Sequence, residues 1–473
     1  MNAKNIYDII VIGAGSGGLN VASFFARLEM KVLLIDKKEE TIGGDCLNTG
    51  CVPSKTLLHI SNSVKAGRDS HRYGITGSGE VNLRLVMDEI RAKQNHIREH
   101  ENSEYLKTKG MDVLLGAASF ASEKSVLVNG EEYFFKKCIV ATGSRARTLT
   151  IEHDDSVRMV NNENIFTLDV LPKHFVFLGG GPIGCELGQA FARLGSAVTI
   201  LNADQKILPR EDASVSAILE KQFKEDSITI INNAKIEKIE GGFINYSVGE
   251  EKKSVQADTL FVGIGRVLNI EGLELEKGGV TLDEKKQKLL VDDYLRTTNK
   301  NIYAVGDVAG SFMFTHAAEE HARVVINNIL SPFKKKSPKT LAWVTYTTPE
   351  VATFGKSETD LQKEGVEYEA LQASFEDEDR AITDDVQEGF VRLYLDKKGH
   401  ILGGTTVGES AGELNQELLL LHYNNLTIDK LFNKVYPYPT LSRVNKRLVM
   451  SYMSKRLTIG GRRLLKVLFS IFN

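Results

Sequence analysis

The chain has 473 residues and a formal charge of −3, from 59 basic and 62 acidic side chains. That length calls for two or three domains with sizeable cores, and so balanced a charge leaves no electrostatic footprint for nucleic acid. Four cysteines, at positions 46, 51, 138 and 185, are too few for a stapled secreted scaffold. Residues Met1–Tyr7 are polar, and no run is long and apolar enough to span a bilayer. A cytoplasmic protein working on small molecules is the expectation. Thiols there stay reduced unless they are catalytic, so a closely spaced cysteine pair is informative.

Tyr7–Ile12 reads as a strand running into Gly13-Ala14-Gly15-Ser16-Gly17-Gly18. A helical pattern follows through Leu19-Asn20-Val21-Ala22 and Phe24-Phe25, then a second strand, Val32–Ile35, ending at Asp36 and Lys37. This is a βαβ unit with G-x-G-x-x-G in its first turn. Gly13 permits the tight turn, Gly15 lets backbone approach a pyrophosphate, and Gly18 lets helix and strand pack closely. Asp36 stands where a carboxylate accepts hydrogen bonds from a ribose diol.

The segment Gly43-Gly44-Asp45-Cys46-Leu47-Asn48-Thr49-Gly50-Cys51-Val52-Pro53-Ser54-Lys55 follows directly. In a regular helix, residues five apart are separated by about 7.5 Å along the axis, too far for a disulfide. A bonded pair therefore requires the chain to distort between the cysteines, and Gly50 supplies the freedom. The pair reads as a redox disulfide, as two buried thiols, or as a metal clip. A metal would want further Cys or His nearby, which the segment lacks, so no metal site is expected.

Farther on, Cys138 lies in an apolar run, and Cys185 follows a second glycine loop; both read as small packed side chains. That loop repeats the first device. His174–Leu178 enters Gly179-Gly180-Gly181-Pro182-Ile183-Gly184, then a helical stretch, Cys185–Leu194, and a strand, Ala197–Leu201. Asn202 takes the position matching Asp36. A carboxylate there would favour NAD and an arginine cluster NADP; Asn permits either, and Lys206 is the cation close by in sequence. Two dinucleotide sites in one chain suggest hydride transfer between a nicotinamide and a flavin, hence FAD with NAD or NADP as cofactors.

Glu376-Asp377-Glu378-Asp379 reads as a solvated charged loop. Residues 444–473 contain no Asp or Glu but hold Lys446, Arg447, Lys455, Arg456, Arg462, Arg463 and Lys466. Leu464, Leu465, Leu468, Ile471 and Phe472 fall at helical spacing, with Gly460-Gly461 as a hinge. Such a basic amphipathic tail suits peripheral membrane or protein contact through residues 456–473; the blander reading is a docked or frayed terminal helix.

The cysteine segment resembles the active-site signature of the class I pyridine nucleotide-disulfide oxidoreductases, the family of dihydrolipoamide dehydrogenase, glutathione reductase and mercuric reductase. The resemblance continues in order through Ala141-Thr142-Gly143-Ser144, Gly263-Ile264-Gly265-Arg266, Ile302-Tyr303-Ala304-Val305-Gly306-Asp307 and Thr347-Thr348-Pro349-Glu350-Val351-Ala352. It implies an α/β architecture of two doubly wound, Rossmann-like dinucleotide domains and a C-terminal α+β dimerisation domain, assembled as a homodimer. The FAD domain would cover 1–146 and 276–340, the NAD(P) domain 147–275, and the interface domain 341–455. In the same terms, Cys51 would be the flavin-proximal thiol and Cys46 the exchanging one. Lys55 would lie near flavin N5, Glu186 on the nicotinamide side, and His316 near the flavin. Gly44, Thr142, Gly143 and Asp307 join the FAD contacts; Gly179, Gly181, Gly184, Asn202 and Gly265 belong to the nicotinamide site.

One departure affects the expected chemistry. Relatives that reduce disulfides carry a H-P-T segment near the C-terminus and a Glu a few residues on. This chain has Tyr438-Pro439-Thr440 and Arg443, so Tyr438 takes the acid–base position with no His–Glu dyad. No cysteine follows Cys185, so the second, C-terminal pair of mercuric reductase is missing too. The expectation is an NAD(P)H oxidoreductase passing electrons through FAD and Cys46–Cys51 to an unidentified small-molecule or metal-ion acceptor. The alternatives are a redox sensor or membrane- or protein-tethered electron carrier, and a dihydrolipoamide dehydrogenase.

Overall fold

From Ile9 onward, strand β1 (Ile6–Ile12) is apolar without alternation because both of its faces are covered there: Ile9, Ile10 and Val11 are all fully buried. In this computed structural model, which describes residues 5–75, 77, 79–283, 288–310 and 312–472, the chain forms two compact units. The first comprises Met1–Gly179, Leu187–Ala203 and Ile231–Lys339; the second comprises Gly180–Glu186, Asp204–Ile230 and Thr340–Asn473.

In the first unit, β1 is followed by helix α1 (Ser16–Arg27), β2 (Val32–Asp36), the short helix α2 (Gly44–Asn48), α3 (Cys51–Asp69) and the long strand β3 (Glu131–Val140). The sheet order is Asp112–Leu115, β2, β1, β3, Ser125–Val128, Ala118–Ser122, and Ile302–Ala304 also pairs with β3. The pairings of β1 with β2 and β3, and of β3 with Ile302–Ala304, are parallel. Their register brings Ile12, Ile35, Val140 and Ala304 to one edge. Ligands of such sheets bind outside the carboxyl ends of the strands, so Gly13, Asp36, Ala141 and Val305 all emerge at the binding edge.

The same arrangement recurs with β4 (His174–Leu178), α4 (Pro182–Leu194), β5 (Ala197–Leu201) and β6 (Thr259–Val262), in the order Thr229–Ile231, β5, β4, β6, Arg158–Val160. Here Leu178 is level with Leu201 and Val262. An antiparallel ribbon of Ser144–Ala146 with Arg266–Leu268 carries the chain between the two sheets. The first unit also contains α5 (Thr315–Leu330), whose inner face is Ala317, Ala318, His321, Ala322, Val324 and Val325.

The second unit is built on an antiparallel sheet in the order Ala342–Thr345, Glu350–Gly355, Ile401–Gly408, Phe390–Leu395, Glu369–Ser374. Helix α6 (Arg443–Arg456) buries Val444, Leu448, Val449 and Tyr452 in the core formed by Phe354, Leu393 and Leu395. Helix α7 (Ile459–Phe472) follows and buries none of its residues.

Three expectations need correction. Both glycine-loop helices begin before their apolar patterns do, at Ser16 and Pro182, because the loop glycines form the first helical turn. Gly460-Gly461 is not a hinge. The break falls at Leu457-Thr458, and the Thr458 hydroxyl accepts the Gly461 N–H at 3.1 Å, so the glycines open α7 as a capped first turn. The acidic run 376–379 is not simply solvated: Glu378 is buried, 3.3 Å from the Arg447 guanidinium, and Asp379 starts a short helix. Cys138 and Cys185 are buried, as small packed thiols should be.

Candidate active site

The first glycine loop is shaped by exclusion. Gly13 has φ +106°, and a Cβ there would lie 2.3 Å from the Ala141 carbonyl oxygen. A Cβ on Gly18 would lie 1.9 Å from the Gly13 carbonyl, so α1 can start against β1 only without a side chain at that position. Gly44 (φ +61°) lies so close that its Cβ would reach Gly15 Cα at 2.7 Å, and Gly43 N–H donates to the Ala14 carbonyl at 2.9 Å. This backbone-lined cradle, at the positive end of a 12-residue helix, fits a pyrophosphate. Asp36 accepts from Ala14 N–H at 2.6 Å and Lys37 N–H at 2.7 Å, and its other partner is Thr41. Those bonds hold the carboxylate at the loop and leave one lone pair, on Oδ2, for a ribose hydroxyl.

The second loop reproduces these contacts. Gly179 N–H donates to Leu201 O at 2.9 Å, as Gly13 does to Ile35 O at 2.7 Å. Gly263 N–H donates to Leu178 O at 2.9 Å, as Ala141 does to Ile12 O at 2.8 Å. Gly179 has φ +116°, and its Cβ would lie 2.4 Å from the Gly263 carbonyl. Gly181 faces open space and Gly184 lies within α4. Asn202 is buried and donates to the Asn232 side chain at 2.8 Å. Lys206 is tied to the carbonyls of Leu208, Pro209 and Glu211, so backbone engages the cation nearest Asn202 in sequence.

The sulfur pair follows the first loop, next to Gly43 and Gly44. α2 ends at Asn48 and α3 begins at Cys51, with the distortion at Thr49-Gly50. Gly50 matters here for space: a Cβ would sit 2.7 Å from the Asp45 carbonyl. The buried Gln94 holds the loop by donating to Leu47 O and Asn48 O, both at 2.9 Å. Both cysteines are thiols in this structure, and Cys46 is hydrogen-bonded to Cys51. That bond, burial and the negative charge of a Cys51 thiolate all push the Cys46 thiol well above its ordinary pKa. The direction of that shift favours Cys46 as the protonated member of the pair. Cys51 opens a 19-residue helix, and its Sγ is 3.3 Å from the Thr315 hydroxyl at the start of α5. Two helix N-termini therefore meet at this sulfur, the setting in which a thiolate is stabilised. Lys55 lies four residues along α3, on the Cys51 face.

A polar cluster closes this side. Arg266 donates to the Ser144 hydroxyl at 2.6 Å and the Ser144 carbonyl at 2.9 Å, pairs with Asp45, and comes within 3.6 Å of Asp307. Ser144 also bonds Asp307. Burial raises the Asp307 carboxyl pKa, while Ser144 and Arg266 oppose the rise. Thr142 is fastened by reciprocal bonds with Asn269, at 2.7 and 3.0 Å. Gly143, at φ +69°, and Gly265, at φ +104°, each face open space. His316 is exposed and stacks on Phe314, ring centroids 5.4 Å apart. The glycine cradle, the open positions at the strand ends and the aligned Asp307 fit FAD.

Sequence reasoning missed Thr315, Asp45 and His321. His321 is buried, and its Nδ1 accepts the Gly306 N–H at 3.2 Å, fixing the turn into Asp307. Its signal was a lone His on the Ala317–Val325 apolar face.

In the second unit, Glu186 is buried and accepts the Tyr346 N–H at 2.8 Å. Tyr438 is 66% exposed, with the Arg443 guanidinium 5.2 Å from its ring centroid. A hydrogen bond with Asp379 raises the phenol pKa, and Arg443 opposes this only in part. The cation beside Tyr438 does not activate it. Among the described residues no cluster could hold a metal ion, and no helix is long and apolar enough to cross a membrane.

Residues 7–322 match the family model described as pyridine nucleotide-disulphide oxidoreductase, and residues 341–448 match that family's dimerisation domain. A dihydrolipoyl dehydrogenase of Mycoplasma genitalium is 34% identical, the match spanning 95% of this chain and 100% of that protein. A mercuric reductase of Bacillus cereus is 28% identical, over 94% of this chain and 71% of that protein. Among solved structures, the HOCl-induced flavoprotein disulfide reductase RclA of Escherichia coli is similar, with a TM-score of 0.83 and 25% identity, covering 94% and 99% of the two chains. The glycine loops, the sulfur pair and these matches place the chain in the pyridine nucleotide-disulphide oxidoreductase family, as an NAD(P)H-dependent, FAD-containing enzyme.

Proposed function

We propose that the protein is a homodimeric reductase that uses Cys46 and Cys51 to pass electrons from NAD(P)H to a small-molecule or metal-ion acceptor, and that lipoamide is not its substrate. The supporting observation is Tyr438: an exposed phenol, held by Asp379 in its protonated form, stands where disulfide-reducing relatives need a base. FAD, when bound, supplies the two-electron connection between nicotinamide and sulfur.

The chain's own residues do the rest. The domains are those of the family, with FAD on 1–146 and 276–340, NAD(P) on 147–275 and the interface on 341–455. Gly13, Gly15, Gly18 and Gly44 admit the FAD pyrophosphate, Asp36 and Lys37 border its ribose, and Thr142, Gly143, Asp307 and His316 border the remainder. Gly179, Gly181, Gly184, Asn202 and Gly265 receive the nicotinamide nucleotide, with Lys55 assigned to the flavin side and Glu186 to the nicotinamide side. Two electrons and a proton open the Cys46–Cys51 bond, leaving the proton on Cys46 and the charge on Cys51. Re-forming the bond releases two electrons, enough for one two-electron acceptor or two Cu(II) ions. Copper is a reasonable trial acceptor because RclA has been solved as a Cu(II) complex.

The test is steady-state oxidation of NADH and NADPH with lipoamide, a quinone and Cu(II) in turn. Turnover with quinone or Cu(II), lost in Cys46→Ser, supports the proposal; rapid lipoamide turnover overturns it. A second reading, a membrane- or partner-tethered carrier, is favoured by the exposed α7, with residues 456–473 acting as a contact surface.

A further inference from the structure

Helix α7 has the geometry of a membrane-surface anchor. At 3.6 residues per turn, Arg462, Arg463, Lys466 and Ser470 share a sector of about 100°. Leu464, Leu465, Val467, Leu468, Phe469, Ile471 and Phe472 fill an opposing arc of roughly 200°, and Ile459, in the first turn, falls inside the cationic sector. All seven residues of the arc are between 38 and 78% exposed. The helix also lacks any acidic residue.

The cations of α6 and α7 differ in their surroundings. Lys455 and Arg456 lie 3.3 and 3.4 Å from Glu369, and Arg447 lies 3.3 Å from both Asp377 and Glu378. Among the described residues, no ion pair joins Arg462, Arg463 or Lys466 to an acid, so their charge is available to an outside anion. Arg462 and Arg463 stand at the two borders of the apolar arc, where long side chains bury their stems and extend their heads to lipid phosphates.

We propose that α7 lies in the plane of an anionic bilayer, with Leu464, Leu468 and Phe472 inserted among the acyl chains and Arg462, Arg463 and Lys466 at the headgroups. This deepens the tethered-carrier reading by committing its tail to a lipid surface. A helix divided lengthwise into a cationic sector and a wide apolar arc suits the interface plane, where each face meets its own solvent. A protein partner would have to cover the same wide apolar arc and also match three clustered cations with acids. An anionic lipid surface does both without a dedicated site. The consequence is a reductase held where a lipid-soluble acceptor partitions.

The test is co-sedimentation of the full-length holoprotein with vesicles of phosphatidylcholine alone and of phosphatidylcholine with phosphatidylglycerol. Binding is expected only to the mixed vesicles, weakening as salt rises. The triple variant R462Q/R463Q/K466Q should bind on the order of 100-fold more weakly, since each surface cation contributes about 1 kcal/mol, or roughly fivefold. Leu468→Asp, at the centre of the apolar arc, should abolish binding while flavin reduction by NAD(P)H is unchanged. Equal binding to both vesicle types, or to neither, overturns the proposal. So does a wild-type dimer, measured by ultracentrifugation, that Leu468→Asp dissociates, since α7 would then cover a second copy of this chain. Vesicle binding by a protein that fails to reduce quinone or copper would refute the acceptor reading and leave the anchor standing.

Discussion

The proposal that Tyr438 and Arg443 stand in place of a His–Glu dyad can be tested by installing one. An unperturbed phenol has a pKa near 10, so at pH 7 about one molecule in a thousand is a tyrosinate. The bond to Asp379 makes that fraction smaller still. A histidine of ordinary pKa is roughly three-quarters in its base form at the same pH. The supply of base therefore rises by almost three orders of magnitude in Tyr438→His. Positioned acid–base catalysis contributes about 10²–10⁴-fold, so the double variant Y438H/R443E should raise NADH-driven lipoamide reduction on the order of 10²-fold. Arg443 is the first residue of α6, where a carboxylate is favoured by the helix dipole, so the fold should tolerate the change. The assay is steady-state NADH oxidation with lipoamide, with stopped-flow flavin reduction as the control, which should not change. Wild-type turnover of about 10–10³ s⁻¹, unaffected by Tyr438→Phe, would refute the reasoning and group the protein with the dihydrolipoyl dehydrogenases.

Gly18→Ala forces a Cβ to 1.9 Å from the Gly13 carbonyl, so α1 must move by more than 1 Å, at about 1–3 kcal/mol of overpacking. The purified variant should carry little flavin by absorbance, whereas full occupancy would contradict the cradle. Burial lowers the His321 pKa, so the unfolded chain binds the proton first as pH falls below the ordinary value near 6.5. Stability that His321 provides at neutral pH is therefore lost from about pH 6.5 downward, until the folded group also protonates. His321→Asn keeps an acceptor for Gly306 N–H and should flatten that part of the pH–Tm profile. The bidentate Arg145–Glu271 pair, at 2.7 and 2.9 Å, holds the Glu271 pKa at about 2. Its stabilisation is complete above the unfolded value near 4.5 and fades as pH falls through about 2. Because the pair is exposed, Glu271→Gln should cost no more than about 1 kcal/mol at pH 7, an effect that shrinks as pH falls towards 2, by denaturant titration.

Much of this enzyme is legible locally. A glycine whose Cβ would strike a carbonyl five residues back, as at Gly18, leaves its mark in six residues of sequence. The same holds for Cys46 and Cys51, where the break between two helices is written as Asn48-Thr49-Gly50. Strand segments buried on both faces, such as Ile9–Ile12 of β1, declare themselves as unbroken apolar runs. These features follow from short-range sterics and burial, so they survive reading in one dimension.

Tertiary structure decided the rest. Thr315 reaches the Cys51 sulfur from 264 positions away, because the parallel sheet and α5 bring two helix N-termini together. Asp45, Ser144, Arg266 and Asp307 form one cluster only because the crossover ribbon folds back on the cysteine loop. Nothing in the order of residues says that Lys206 spends its charge on backbone carbonyls, that Glu378 is buried, or that Asp379 keeps Tyr438 protonated. Charges and hydrogen bonds are settled by whichever partner is nearest in space, and that distance exists only after the chain has folded.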